Sequence, residues 1–199
     1  MGRKVLVTGG ATVPFKELLH EVCTPDFIAT LEAYGFTDID IQCGSHLDAI
    51  NSELLDNKCG LIVTTFSYNN NLKREMAHLC RGEAGNKPAG VVIGHAGTGT
   101  ISDALEAEAP LIVVANPNLM DNHQADFAAE MAAEHPTIIQ GHLGKLAEAI
   151  PKIMEVIKEN GLDDLQPLEQ GTLPVGKGDG LSFIDEVIEY YQKKRNSGH

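Results

Sequence analysis

The sequence predicts an α/β fold of the Rossmann type, a parallel sheet with helices on both faces. Three observations carry this expectation. Short apolar runs such as Leu111-Ile112-Val113-Val114-Ala115 recur along the chain and read as buried strands. Segments with helical spacing of apolar residues lie between them, so strands and helices alternate. Glycine-rich stretches fall where a strand hands over to a helix, above all Gly94-His95-Ala96-Gly97-Thr98-Gly99-Thr100. In such folds these junctions line the carboxyl edge of the sheet, where ligands bind.

The elements follow in order. Residues 4–8 form a strand ended by Gly9-Gly10, and a helix starts around Pro14, since proline is tolerated in a first turn. Residues 26–34 form a helix closed by Gly35. Residues 38–43 and 61–66 are strands, with no element assigned between them. Residues 69–80 are helical, and the polar, glycine-containing stretch 81–88 is a loop. Strand 91–94, helix 99–108, strand 111–115, helix 121–134, strand 137–140 and helix 145–159 complete a domain over residues 1–160. Residues 161–181 read as a linker: positions 161–180 hold five glycines and two prolines without apolar periodicity. Residues 182–199 end the chain with an amphipathic helix, Phe183, Ile184, Val187, Ile188 and Tyr191 sharing one side, and a tail.

Composition narrows the function. Fifteen basic residues against 28 acidic ones give a net charge of −13, which disfavours nucleic acid and anionic lipid as direct partners. The apolar runs fall well short of the roughly 20 residues that span a bilayer. Met1-Gly2-Arg3-Lys4 leads straight into a strand without a secretory signal pattern. Cys23, Cys43, Cys59 and Cys80 form no CxxC pair and read as buried or free thiols of a reducing compartment. The expected location is the cytosol.

Where the strand over 91–94 becomes a helix, unpaired N–H groups and the positive end of the helix dipole make an anion site. His95 stands at its rim, and Asp103, within the first turns, can reach a sugar hydroxyl. The glycine order is GxxGxG rather than GxGxxG, and no GKS or GKT follows, so a dehydrogenase and a P-loop are disfavoured. The next junction ends in Asn116-Pro117-Asn118-Leu119-Met120-Asp121-Asn122-His123-Gln124 and faces the same crevice. Asp121 or Asn122 is a helix cap. His123 and Gln124 are polar residues at the ligand edge, and Gln124 offers both donors and acceptors for sugar hydroxyls. Asp38-Ile39-Asp40 has the form of a DxD metal motif, but it lies in an alternating strand and reads as solvent-facing carboxylates.

The run from His95 to Asp103, then Pro110, then Asp121-Asn122-His123-Gln124, resembles the donor-binding half of UDP-sugar-dependent GT-B glycosyltransferases of the family 28 type. Val7-Thr8-Gly9-Gly10-Ala11-Thr12-Val13-Pro14-Phe15, Tyr34-Gly35-Phe36 and Leu119-Met120 narrow the resemblance. They are similar to the small catalytic subunits of the transferases that add GlcNAc from UDP-GlcNAc to GlcNAc-diphosphodolichol, the second step of the lipid-linked oligosaccharide of N-glycosylation. The similarity runs to about residue 150.

This resemblance implies that His95 and the backbone of Gly97, Thr98, Gly99 and Thr100 hold the diphosphate. Asp103, where related enzymes often carry Glu, would bind the ribose; His123 and Gln124 would contact the GlcNAc. Gly9, Gly10 and Thr12 would face the diphosphate or acceptor, and the Phe66-Ser67 backbone would pair with uracil. It further implies no metal, and a membrane-anchored partner that binds the acceptor and recruits the chain to the cytosolic face of the endoplasmic reticulum. The terminal helix is the candidate docking element. No residue stands out as general base: His20 and His46 read as surface histidines, and the base is expected in the partner. A non-catalytic UDP-sugar-binding regulatory subunit and a UDP-GlcNAc epimerase-like enzyme remain as alternatives.

Overall fold

A computed structural model describes residues 2–9, 14–54, 60–117 and 123–168. Six strands build one sheet: β1 (Arg3–Thr8), β2 (Phe36–Gln42), β3 (Ile62–Phe66), β4 (Val91–His95), β5 (Leu111–Val114) and β6 (Ile138–Gly141). All five pairings are parallel, in the order β3-β2-β1-β4-β5-β6. The chain winds from β1 outward to β3, crosses over, and winds from β4 outward the other way. The order reverses between β1 and β4, where a parallel sheet opens a crevice at its carboxyl edge.

The helices are α1 (Lys16–Val22), α2 (Pro25–Ala33), α3 (Leu47–Leu54), α4 (Leu72–Cys80), α5 (Thr98–Glu106), α6 (His123–Glu134) and α7 (Ala149–Glu159). Side chains alternate between the two faces of each strand. Val5, Val7, Ile39, Ile41, Val91, Ile93 and Ile112 share one core with Leu18, Leu19, Phe27, Leu31, Ile50 and Ile153 of α1, α2, α3 and α7. Leu6, Val92, Leu111 and Val113 share the other with Met76, Ile101, Ala104 and Phe127 of α4, α5 and α6. Burial on both faces is why Val5-Leu6-Val7 reads as an unbroken apolar run. Each such side chain contributes about 1.5–3 kcal/mol.

The predicted fold class and strand positions are present, and several boundaries differ for local reasons. α3 occupies a stretch to which the sequence assigned no element. α4 starts at Leu72, not 69, because the Asn69 carboxamide oxygen accepts from the Asn71 N–H at 2.8 Å and holds a turn ahead of the helix. The helix expected from 145 divides into a 3-10 turn over Leu146–Glu148 and then α7. Pro151 lacks the N–H that an α-helical bond to Ala147 needs, so α7 begins just before it.

The expected linker is described only over residues 161–168. Its first residues return to the body: Leu162 is buried, and Asp163 receives both guanidinium nitrogens of Arg3 at 2.7 and 2.8 Å together with the Ala89 N–H at 2.8 Å. The Ala84 N–H donates to Leu165 at 2.9 Å. The rest of that segment from 169, and the terminal helix and tail over 182–199, lie outside the described residues. Cys23, Cys43 and Cys80 are buried, and burial pushes their thiols up to about 12, 11 and 12. Cys59 lies outside the described residues.

Candidate functional site at the carboxyl edge

β1 and β4 end side by side, with Thr8 opposite Gly94. A Cβ at Gly94 would stand 2.5 Å from the Thr8 hydroxyl oxygen and 2.7 Å from Thr100 Cγ2. Glycine therefore lets α5 settle onto the strand end. At Gly9 an added Cβ would meet the Gln42 carbonyl oxygen at 2.8 Å, so glycine there allows β1 to leave the sheet close against β2. The Phe15 N–H reaches back to the Gly9 carbonyl at 2.8 Å and closes the connection into α1.

His95 ends β4, and the Gly97 N–H folds back onto its carbonyl at 2.7 Å. Gly97 caps α5 in an extended conformation and supplies no side chain to the first turn. A Cβ on Gly97 would strike the His95 imidazole, so that ring lies over the helix start. The N–H groups of Thr98, Gly99 and Thr100 are those an α-helix leaves without an internal partner. Two buried polar atoms flank this turn without a hydrogen-bond partner, Thr8 Oγ1 and His95 Nδ1. A buried polar group left unpaired is costly, and an oxygen-rich anion supplies what both lack. Burial also lowers the His95 imidazole below its ordinary value, which favours its neutral form.

Asp103 lies in the second turn of α5, half-buried, and burial raises its carboxyl above the ordinary value. α4 runs beside α5, and Lys73 in its first turn reaches Glu106 on α5 at 2.7 Å. This contact brings the segment after β3 alongside Asp103, although β3 stands three strands away from β4 in the sheet. The Phe66 and Ser67 carbonyls already accept from the Cys43 and Gly44 N–H groups at 2.8 and 3.0 Å, so a base docked there meets acceptors that are partly committed.

Gln124 is buried, and its side-chain oxygen accepts from the Asn116 N–H at 3.0 Å. It therefore ties the end of β5 to α6. Of the other expected site residues, Gly10, Thr12 and the side chain of His123 lie outside the described residues, as do Asp121 and Asn122.

His20 is exposed and bound to Glu53 at 2.7 Å. His46 departs from the expected surface histidine: it is half-buried, with Nδ1 sealed from solvent. Asp38 and Asp40 are not simply solvent-facing either. Asp38 receives Lys4 at 3.2 Å, and burial beneath α4 raises the carboxyl of Asp40. Among the described residues no three metal-binding side chains cluster, and no helix is long and apolar enough to cross a membrane.

Known proteins share this arrangement. The glycosyltransferase family 28 C-terminal domain matches residues 4–164. The UDP-N-acetylglucosamine transferase subunit ALG13 of Yarrowia lipolytica is 33% identical over 187 residues, 94% of this chain and 85% of that one. Its counterpart in Candida glabrata is 30% identical, over 83% of this chain and 91% of the relative. The NMR solution structure of ALG13 superposes with a TM-score of 0.63 at 25% identity, covering 94% of this chain and 96% of that chain. Acinetobacter baumannii MurG shares the fold at a TM-score of 0.56 and 18% identity, over 81% of this chain but 43% of its own.

Proposed function

The chain belongs to the family of glycosyltransferase family 28 C-terminal domains, and from that membership we propose that it is the donor-binding, catalytic subunit of a UDP-N-acetylglucosamine transferase. The observation that carries the proposal is the pair of unpartnered buried atoms, Thr8 Oγ1 and His95 Nδ1, beside a helix start without a side-chain cap. The donor diphosphate lies against the N–H groups of Thr98, Gly99 and Thr100 with His95 above it. Asp103 accepts from the ribose hydroxyls, the uracil lies toward Phe66-Ser67, and the GlcNAc lies toward His123 and Gln124.

An acceptor hydroxyl attacks the anomeric carbon. A carbon–oxygen bond forms there, the bond to the diphosphate breaks, and the electron pair leaves on UDP. The negative charge that grows on the diphosphate meets oriented N–H groups and the positive end of the α5 dipole, which stabilise it without a resident metal ion. The acceptor's proton passes to a base on a second subunit. The word "subunit" in the relatives' names supports such an assembly. GlcNAc-diphosphodolichol is the proposed acceptor. A membrane-anchored partner holds it and brings this acidic chain to the cytosolic face of the endoplasmic reticulum.

The test is GlcNAc transfer from UDP-GlcNAc to a GlcNAc-diphospholipid by the chain copurified with membranes. Asp103→Ala and His95→Ala are expected to cut the rate about tenfold to a thousandfold while thermal unfolding stays near that of the parent. Rates near the parent's in both variants would overturn the site. Turnover by the mixed subunits, with none by either alone, separates a catalytic subunit from one that only binds the donor.

A further inference from the structure

Between β3 and α4 the chain is held only weakly by packing. Leu61 and Met76 are buried, and every side chain between them is at least partly exposed. The buried residues of α4 are Met76, Ala77, Leu79 and Cys80, all beyond its first turn. The stretch over 66–75 therefore depends on hydrogen bonds at its two ends. At one end the Phe66 and Ser67 carbonyls accept from the Cys43 and Gly44 N–H groups, which fastens it to the segment after β2. At the other end Lys73, in the first turn of α4, donates to Glu106 Oε2 of α5 at 2.7 Å. Glu106 is itself aimed, because the Ser102 hydroxyl one turn earlier donates to its other oxygen at 3.2 Å. A segment with few buried apolar contacts opens locally with ease. An ion pair too weak to matter for the whole fold then decides where this segment sits.

We propose that Lys73 and Glu106 form a clasp that sets the gap between the segment after β3 and the start of α5, which makes them positioning residues for a ligand that spans the two. The inference rests on the donor reading, in which the uracil lies toward Phe66-Ser67 and the diphosphate lies against Thr98, Gly99 and Thr100. A uridine diphosphate touches both sides at once. With the clasp closed, the two sides stand at a fixed spacing before the nucleotide arrives. With it open, binding must order the segment as well, and affinity falls. Pyrophosphate touches α5 alone and is indifferent to the gap.

Calorimetric titration of the full chain with UDP and with pyrophosphate tests this. Lys73→Met and Glu106→Gln are each expected to weaken UDP binding about two- to fivefold, the size that a partly exposed ion pair allows. The double variant loses no more than the larger single loss, since each substitution opens the same contact. Pyrophosphate affinity does not fall in Glu106→Gln. The shared direction separates a clasp from a simple effect of charge. Lys73→Met takes a cation away from an anionic ligand and Glu106→Gln takes an anion away, so charge alone moves UDP affinity in opposite directions. Tighter UDP binding by Glu106→Gln, or losses that add in the double variant, would overturn the clasp. An equal loss for UDP and pyrophosphate in Glu106→Gln overturns it too, because the pair then serves the fold of α5. If both single variants bind UDP as the parent does while His95→Ala weakens it, the clasp is overturned and the donor site stands. If His95→Ala binds UDP as the parent does, or the parent binds none, the donor reading falls and the inference with it.

Discussion

Thr8 has a hydroxyl where a methyl group would pack equally well. It is 1% exposed, at the end of a strand whose three preceding side chains are apolar, and its oxygen has no partner. Replacing it with valine keeps the shape and removes an unpaired polar atom. Thr8→Val is therefore expected to leave stability unchanged or raise it by about 1 kcal/mol in urea denaturation, yet to weaken UDP binding in calorimetry. A variant that loses stability and keeps full affinity would assign the hydroxyl to the fold instead. The same contrast applies to His95, whose sealed Nδ1 carries a desolvation penalty in the free protein. Both positions hold chemistry that packing alone does not require.

Among the elements, the 3-10 turn over Leu162–Asp164 is held by one carboxylate bound to β1 and to the segment just ahead of β4. Asp163→Ala removes three hydrogen bonds. Because the Asp163 side chain is 38% exposed, the expected cost is about 1–2 kcal/mol rather than that of a buried pair. The Arg3 guanidinium holds the Asp163 carboxyl below its ordinary value. Its contribution is complete above the ordinary carboxylate range and disappears as the pH falls through the lowered value. Parent and variant should thus differ in urea midpoint at pH 7 and converge toward about pH 2. A constant gap across that range would remove the ion pair from the explanation.

The strands were legible because burial on both faces leaves runs such as Val91-Val92-Ile93 without polar interruption. α3 was missed although Leu47, Ile50 and Leu54 carry helical spacing, since only Ile50 is fully buried and five polar or small residues dilute the pattern. The helix start at Gly97 to Thr100, proposed above as the diphosphate site, was legible because one short segment contains it. Lys73 was not, because its pairing with Glu106 spans 33 residues and depends on how two helices lie side by side. Gln124 shows a different limit. Residue type announces hydrogen-bonding capacity, whereas its commitment to the Asn116 N–H is a property of the folded loop.

For the whole molecule, a net charge of −13 and an anionic donor oppose each other at long range. In the proposed site, binding would depend on the local N–H groups at the sheet's central crevice, which act at hydrogen-bond distance where solvent screens little. Transfer activity in membranes is accordingly expected to survive EDTA. Activity lost to the chelator and restored by magnesium would count against charge stabilisation by the protein alone.

The position of β1 also governs how the chain is made. β1 is made before both of its neighbours: β2 follows soon after, but β4 begins only at Val91. Its Arg3 finds Asp163 another 160 residues downstream of itself. At about 5–20 residues per second, β1 spends several seconds with one edge open. Translation pauses that delay the emergence of β4 lengthen that interval.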